Sequence, residues 1–383
     1  MRLIAFTLPF AALAACSVAG EPVGSGDGAA TQASNSRPFQ VQEIADFDEP
    51  WAMAFIPGTG QALITEKRGR LLLRSEAGAV VEVAGVPRVD YGGQGGLGDV
   101  AFHPDFANNS YVYLSWIEAG DRGTRGAVVG RAKLVRADEA ARLEGMQIIW
   151  RQEPKVDGGG HFSHRIAFSP DGFLFITSGD RQKFDPAQDR NGNLGKVVRL
   201  TDAGGVPGDN PFYDRGRLTS QIWSLGHRNL LGIAFDANGQ LWTNEMGPQG
   251  GDEVNRIERG ANYGWPIVSN GSHYGGGDIP DHKTRPEFNA PEVWWTPSIS
   301  PSSLMVYSGT LFPQWRGSAF VGALSGQSLI RLTLNGTAAA KADRWDMGAR
   351  IREVEQGPDG AIWLLEDGGG GSNSRLLKLT PAR

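Results

Sequence analysis

The sequence predicts an all-β fold, a six-bladed β-propeller of four-stranded antiparallel blades, and three observations predict it. A strand–turn–strand pattern recurs six times along the 383 residues. The composition, with 54 glycines, 22 prolines and 11 tryptophans, suits many short strands joined by tight turns. Helical signal is nearly absent: the best candidate, Ala137 to Leu143, is no longer than about two turns. A β-sandwich with a helical insert is the alternative architecture.

In each copy an apolar strand ending in Ala-Phe or its equivalent leads into a Pro-Asp-Gly-like turn and a second apolar strand. The first runs Trp51 to Gly58 then Ala62 to Glu66, the second Gly98 to Asp105 then Tyr111 to Trp116, and the third Arg165 to Gly172 then Phe173 to Thr177. The fourth is Leu231 to Gly239 then Leu241 to Glu245. A looser fifth is Ser303 to Tyr307 then Ala319 to Ala323, and the sixth is Arg352 to Gly360 then Ile362 to Glu366. Most are trailed by a third strand, such as Gly69 to Arg74, Lys196 to Leu200, Ile330 to Leu334 or Leu376 to Leu379. Copies are spaced by about 45 to about 70 residues, the range of propeller blades with loop insertions. Loops after equivalent strands then converge on one mouth of a central channel.

Ahead of the repeats, residues 1–15 read as an export signal. Arg2 gives a positive start, Leu3 to Leu13 an apolar stretch too short to span a bilayer, and Leu13-Ala14-Ala15-Cys16 resembles a lipobox. Cys16, the only cysteine, is therefore the expected lipidation site, and Ser17 after it favours the outer membrane of a Gram-negative cell. Residues 16–38 are small and polar and make a flexible tether, leaving 39–383 as the propeller. The expected location is periplasmic, with membrane contact only through the lipid anchor. A net charge of −5 and the lack of a long basic run argue against a nucleic-acid partner.

Polar residues gather in the loops next to the repeated strands. Asp90 to Asp99 is a glycine-rich loop presenting Gln94. His161 follows a triple glycine, and Asp180 lies one hairpin later; a histidine titrates near neutrality and a carboxylate can orient its ring, although a lone histidine satisfied by loop backbone is the plainer reading. His164 is read as a structural loop histidine. Gly226-His227-Arg228-Asn229 puts a donor pair just before a strand, and Asn244 to Glu253 offers carbonyls and carboxylates suited to a hard cation, without EF-hand spacing. Asp189 to Asn193 reads as a turn. Arg350 and Arg352 alternate with period two and present two guanidinium forks on one side of a strand, a clamp for carboxylates or a solvated surface pair.

With Leu194-Gly195-Lys196, Gly208 to Phe212, Gly247-Pro248, Asp252-Glu253, Asn262 to Pro266 and Pro301-Ser302-Ser303, these motifs occur in an order that resembles the soluble glucose/sorbosone dehydrogenases. The resemblance, over about residues 40 to 380, is to the aldose sugar dehydrogenases that use pyrroloquinoline quinone and Ca²⁺. It implies oxidation of an aldose at the anomeric carbon, with electrons leaving to an unidentified acceptor. His161 would be the general base, Asp180 would assist it and touch substrate, and Arg228 would stabilise charge on the quinone. Asn229, Arg350 and Arg352 would hold the cofactor, Gln94 would contact sugar or cofactor, and Asp252 would face the sugar. The carbonyls of Gly247 and Pro248 would hold Ca²⁺. The chain departs from the pattern at Ser325, where glucose-specific members carry a Lys, at Met246, where some have Gln, and around Trp294 to Ser298. Competing readings are a non-catalytic propeller binding a saccharide or protein, and a Ca²⁺-dependent hydrolase of lactones or esters.

Overall fold

Six strands, one opening each expected repeat, pack side by side in a closed ring: Pro50–Phe55, Leu97–Phe102, Ser163–Phe168, Leu230–Phe235, Pro301–Val306 and Ile351–Gln356. The structure is a computed structural model describing residues 37–137, 140–368 and 374–382, all in the unit Gln32–Arg383. The expected signal peptide, Cys16 and the tether up to residue 36 lie outside the described residues. Each ring strand pairs antiparallel with the second strand of its repeat, and those partners are wholly buried where they run Ala62–Glu66, Leu174–Ser178, Leu241–Glu245, Ala319–Ala323 and Ile362–Glu366. Strands covered on both faces read as continuous apolar runs, which is how the sequence writes them.

Four sheets have four strands each. A further sheet has eight, because two meanders, Pro50–Phe55 to Val80–Ala84 and Leu97–Phe102 to Ala140–Arg151, join through parallel pairing of Val83 with Ala141. The architecture is all-β and propeller-like, with apolar clusters between neighbouring sheets such as Phe39, Trp315, Phe320 and Trp345. The N-terminal strand Phe39–Asp46 pairs with the C-terminal strand Arg375–Pro381, so one sheet is built from both ends of the chain.

The described residues of the best helix candidate, Ala137 to Leu143, are in strands. Arg125–Ala137 and Ala140–Arg151 form a long hairpin with Leu134 opposite Leu143 and Ala137 opposite Ala140. Ala141 and Leu143 are buried while Arg142 is exposed, so burial with period two overrode the helix preference of these residues. Among the described residues the α-helix is a single turn, Phe106–Asn109, and no helix is long and apolar enough to cross a membrane.

Every ring strand carries a register shift near its start, at Pro50/Ala52, Leu97/Val100, Ser163/Ile166, Leu230/Gly232, Pro301/Leu304 and Ile351/Glu353. A bulge leaves backbone groups unpaired and re-aims side chains. Hydroxyls on the second strands satisfy several of these groups: Ala52 N donates to Thr65 Oγ1 (3.0 Å), Asp99 N to Ser115 Oγ (2.8 Å) and Arg165 N to Thr177 Oγ1 (2.9 Å). The bulges turn the strand starts into the mouth of the ring, where the candidate site lies.

Candidate active site

His161 sits in an unusual stretch of backbone. His161, Ser163 and His164 all have positive φ (50°, 58° and 63°), a region that costs non-glycine residues energy and persists only under constraint. The constraint comes from two neighbouring loops. Gln94 N donates to Gly159 O (2.8 Å) and Gln94 Oε1 accepts from His161 N (2.7 Å), a two-way lock. Behind it, a Cβ on Gly179 would lie 2.1 Å from His161 O, so only glycine lets the Asp180 loop approach.

The result is a wired histidine. His161 Nδ1 donates to Asp180 Oδ1 at 2.7 Å, the proton being assigned to Nδ1 because a carboxylate only accepts. Asp180 is fully buried; Oδ1 also accepts from Gln182 N (2.8 Å) and Oδ2 from Trp265 Nε1 (2.8 Å). Among the described residues no hydrogen bond engages His161 Nε2. Burial pushes the imidazole below its ordinary value; Asp180 pulls it back and the nearby Arg228 charge lowers it again, with a net downward shift. The downward shift favours the uncharged ring, whose Nε2 then offers a lone pair.

Arg228 and Asn229 are held from below. His227 is buried between Ser224 Oγ (2.8 Å) and Glu245 Oε1 (2.9 Å), stacks on Tyr263, and fixes a carboxylate whose Oε2 accepts from Arg228 N (2.6 Å). The Arg228 guanidinium donates to Met246 O (2.9 Å) and reaches Tyr274 Oη at 3.4 Å, over the Trp265 ring, while its buried Nε has no partner. Asn229 is fully buried; its Oδ1 accepts from Ser163 Oγ (3.2 Å) and its Nδ2 faces Met246 Sδ at 3.8 Å.

A cavity of about 360 Å³ opens beside these groups, lined by Gln94, Ser163, Met246, Arg350 and Arg352, and by Glu49, Lys67, Ser300 and Asp367. Arg350 Nε donates to Asp367 Oδ2 (2.8 Å), and Arg352 donates to Oδ1 through Nη2 (2.9 Å) and Nε (3.2 Å). Burial alone would raise the Asp367 pKa, but Arg352 and Arg350 outweigh it and the net shift is downward. A smaller hollow is lined by Arg228, Glu245, Met246, Gly247, Glu253 and Trp265, and Met246 borders both. His161 and Asp180 line neither; they reach the cavity through Gln94 and the hollow through Trp265.

Three sequence expectations meet a more specific structure. Asp252, expected on the sugar side, is fully buried: Oδ1 accepts from Gly247 N (2.9 Å), and Oδ2 from Ser298 Oγ (2.6 Å), Ile299 N (2.7 Å) and Ser300 N (2.8 Å). It ties two loops together. Gly247 and Pro248 are buried, and a Cβ on Gly247 would lie 2.3 Å from both Gly250 O and Gly251 O, so the loop packs backbone carbonyls around that glycine. Among the described residues no group of three or more His, Cys, Asp or Glu is disposed to hold a metal. Ser325 shares a hydrogen bond with Ser300 (2.7 Å between hydroxyl oxygens) at the cavity edge. His164, by contrast, is structural as expected: it bonds Ser115 Oγ (2.7 Å), stacks on Trp51, and is pushed down to about 3 by burial.

Sequence reasoning did not single out Trp265 or Lys67, and took Glu245 only as part of the Asn244 to Glu253 loop suited to a cation. Trp265 lies 85 residues from the carboxylate it orients, and only its place in the Asn262 to Pro266 motif hinted at a role.

Comparison with known proteins bears on this geometry. The profile of the glucose/sorbosone dehydrogenase family matches residues 47–378. The aldose sugar dehydrogenase YliI of Escherichia coli is 39% identical, the match covering 89% of this chain and 92% of the relative. The apo-form crystal structure of the E. coli soluble aldose sugar dehydrogenase superposes with a TM-score of 0.84 at 38% identity, covering 90% of this chain and 100% of that one. The PQQ-bound aldose sugar dehydrogenase of Streptomyces coelicolor superposes with a TM-score of 0.72 at 29% identity, covering 92% of this chain and 99% of that one. With the profile spanning nearly all of the described fold and relatives matched almost end to end, the chain belongs to the glucose/sorbosone dehydrogenase family.

Proposed function

We propose that the protein oxidises aldose sugars at the anomeric carbon to lactones, using pyrroloquinoline quinone and Ca²⁺, and passes the electrons to an external acceptor. The observation that carries this reading is the His161–Asp180–Trp265 relay, with its free Nε2, set beside a cationic cavity and the buried Arg228. The names of the E. coli and Streptomyces relatives support the same chemistry.

The residues present fit the cofactor. Arg228 Nε is a buried donor without a partner, and the Arg350 and Arg352 forks suit carboxylates. The carbonyl-rich loop at Gly247 and Pro248 suits a hard cation. When bound, the ortho-quinone supplies the electrophilic carbon that accepts the anomeric hydride, with Ca²⁺ polarising it. The protein does the rest. His161 Nε2 takes the proton of the anomeric hydroxyl, so that the sugar gives up one hydride and one proton and becomes the lactone. Asp180 holds the tautomer and stabilises the imidazolium that forms, and Trp265 fixes Asp180. Arg228 offers a desolvated positive charge to developing negative charge, a role worth about 3–4 kcal/mol in comparable sites. Asn229 and Gln94 hold and orient cofactor and sugar. In this reading the six four-stranded meanders are six propeller blades around the channel. The lipobox-like Leu13-Ala14-Ala15-Cys16 supports a periplasmic protein anchored to the outer membrane through Cys16.

Reconstitution tests the reading. Apo-protein mixed with pyrroloquinoline quinone and Ca²⁺ should reduce an artificial dye when given aldoses. Quinone binding without turnover of any aldose or alditol would sink it.

A further inference from the structure

We infer that Lys67 is a cofactor-binding residue whose ammonium pairs with a carboxylate of the bound quinone; this rests on the quinone dependence proposed above. Lys67 lies in the turn between Ala62–Glu66 and Arg70–Arg74, and its backbone is clamped. Its N–H donates to Glu49 O (3.0 Å), its carbonyl accepts from Leu97 N (2.9 Å), and a Cβ on Gly96 would lie 2.1 Å from that carbonyl, so the Gln94 loop is packed tightly against it. The side chain is therefore launched from a fixed point into the cavity that it lines with Arg350 and Arg352.

Its ammonium has little else to do. Nζ is 3.4 Å from Gly93 O and 3.7 Å from Glu49 Oε1, and the side chain is only 15% exposed. Glu49 is already shared with Arg68 (3.3 Å) and the Tyr91 hydroxyl (2.6 Å). Lys196 provides the contrast: its Nζ donates to the carbonyls of Pro186, Ala187 and Leu194 at 2.7–2.9 Å, which is how this fold ties a lysine with a purely structural task. A half-buried ammonium with two long polar contacts, and the Tyr91 ring centre 5.6 Å away, keeps donors for a ligand.

Charge gives the same answer. The cavity lining carries three cations, Lys67, Arg350 and Arg352, and two anions, Glu49 and Asp367. Asp367 is held by both arginines, so without Lys67 the lining would be electrically balanced. Pyrroloquinoline quinone carries three carboxylates, and a balanced, partly buried lining would not repay their desolvation. Lys67 supplies the excess positive charge on the wall that Gln94 also lines.

Quinone affinity tests this directly, without turnover. Apo-protein is titrated with pyrroloquinoline quinone, read by quenching of tryptophan fluorescence at low and at moderate salt, for wild type, Lys67→Ala, Lys67→Arg and Lys67→Ala with Ser325→Lys. Lys67→Ala should raise Kd about tenfold and flatten its salt dependence. Lys67→Arg should stay within about threefold of wild type. The double variant should regain affinity, because position 325 touches Ser300 on the cavity wall. Melting temperatures of the apo-proteins check that every variant is folded. A wild-type Kd in folded Lys67→Ala overturns the assignment alone, and so does an equal loss in Lys67→Arg. A wild-type protein that binds no quinone removes the functional reading and this assignment with it.

Discussion

The ring of strands encloses two cavities of nearly equal size and opposite character. One, about 360 Å³, touches the starts of the ring strands and their loops; the other, about 320 Å³, is lined by residues further along the same strands, such as Asp99, Arg165, Gly232, Ser303, Glu353 and Glu355. Trp51 and His164 line the first and Arg165 the second; the Arg165 guanidinium lies 4.0 Å from the Trp51 ring centre, and Trp51 stacks on His164. The first cavity has three cations to two anions, whereas the second sets Arg165 alone against Asp99, Glu353 and Glu355.

The protein manages the two charge balances differently. In the first cavity Asp367 is kept ionised by its arginines. In the second, burial drives the carboxyls upward: Asp99 and Glu353 rise despite Arg165, Glu353 to about 7, and Glu355 rises further through the Glu353 charge. Burial in the second cavity thus favours the protonated carboxyls, while in the first the arginines favour the ionised one. Shape alone would not tell them apart; the residues delivered by the bulges at the strand starts do.

The largest expected break is at the histidine that reaches the first cavity through Gln94. His161→Ala should lower kcat by about 10²–10⁴-fold while quinone affinity stays within about twofold, which stopped-flow turnover and fluorescence titration separate. Retained kcat would remove His161 from the proton-transfer role. The next effect belongs to the second cavity. Because the folded Glu353 value is raised from 4.5 to about 7, its stabilising contribution is complete below about pH 4.5 and is lost as pH rises through about 7. Urea unfolding should show stability falling by about 1–3 kcal/mol across that window, and Glu355→Gln should flatten the fall with dye-reduction activity within about twofold of wild type. A slope unchanged in Glu355→Gln would mean that the cluster is not the source.

Smaller effects belong to the hollow beside the first cavity, which Trp265 and Arg228 line. Trp265→Phe removes the donor to Asp180 Oδ2 and should lower kcat about tenfold with little change in quinone Kd. An equal change in both would make Trp265 a packing residue. Finally, with the His161 value lowered by burial and by Arg228, the acid limb of kcat/KM should bend below pH 6.5. Arg228→Lys, which keeps the charge, should leave that inflection nearly in place, whereas Arg228→Met should move it upward.

Much of this was legible in the sequence, for a physical reason. Apolar runs such as Leu241 to Glu245 and Ile362 to Glu366 read as strands because both faces are covered, and Pro-Asp-Gly turns mark their ends. His161, Asp180, Arg228 and Asn229 stood out because loops with glycine and charged residues interrupt those runs. The tie that Asp252 makes between two loops was not legible in sequence, because its four partners come from Gly247 and from residues 298–300. Lys67 was invisible because its wall is completed by Gly93 and Glu49, and by arginines nearly the whole chain away. The bulges were hidden too, since an extra residue in a strand shows only against its partner.

The sheet shared by the two ends of the chain sets an order in time. Phe39–Asp46 is the first described strand to be synthesised, yet its partner Arg375–Pro381 is among the last. Until then its edge is open and the ring has a gap, a state in which unpaired strands are prone to find the wrong partner. The ring, and with it the site at the mouth, can therefore close only once almost the whole chain is available.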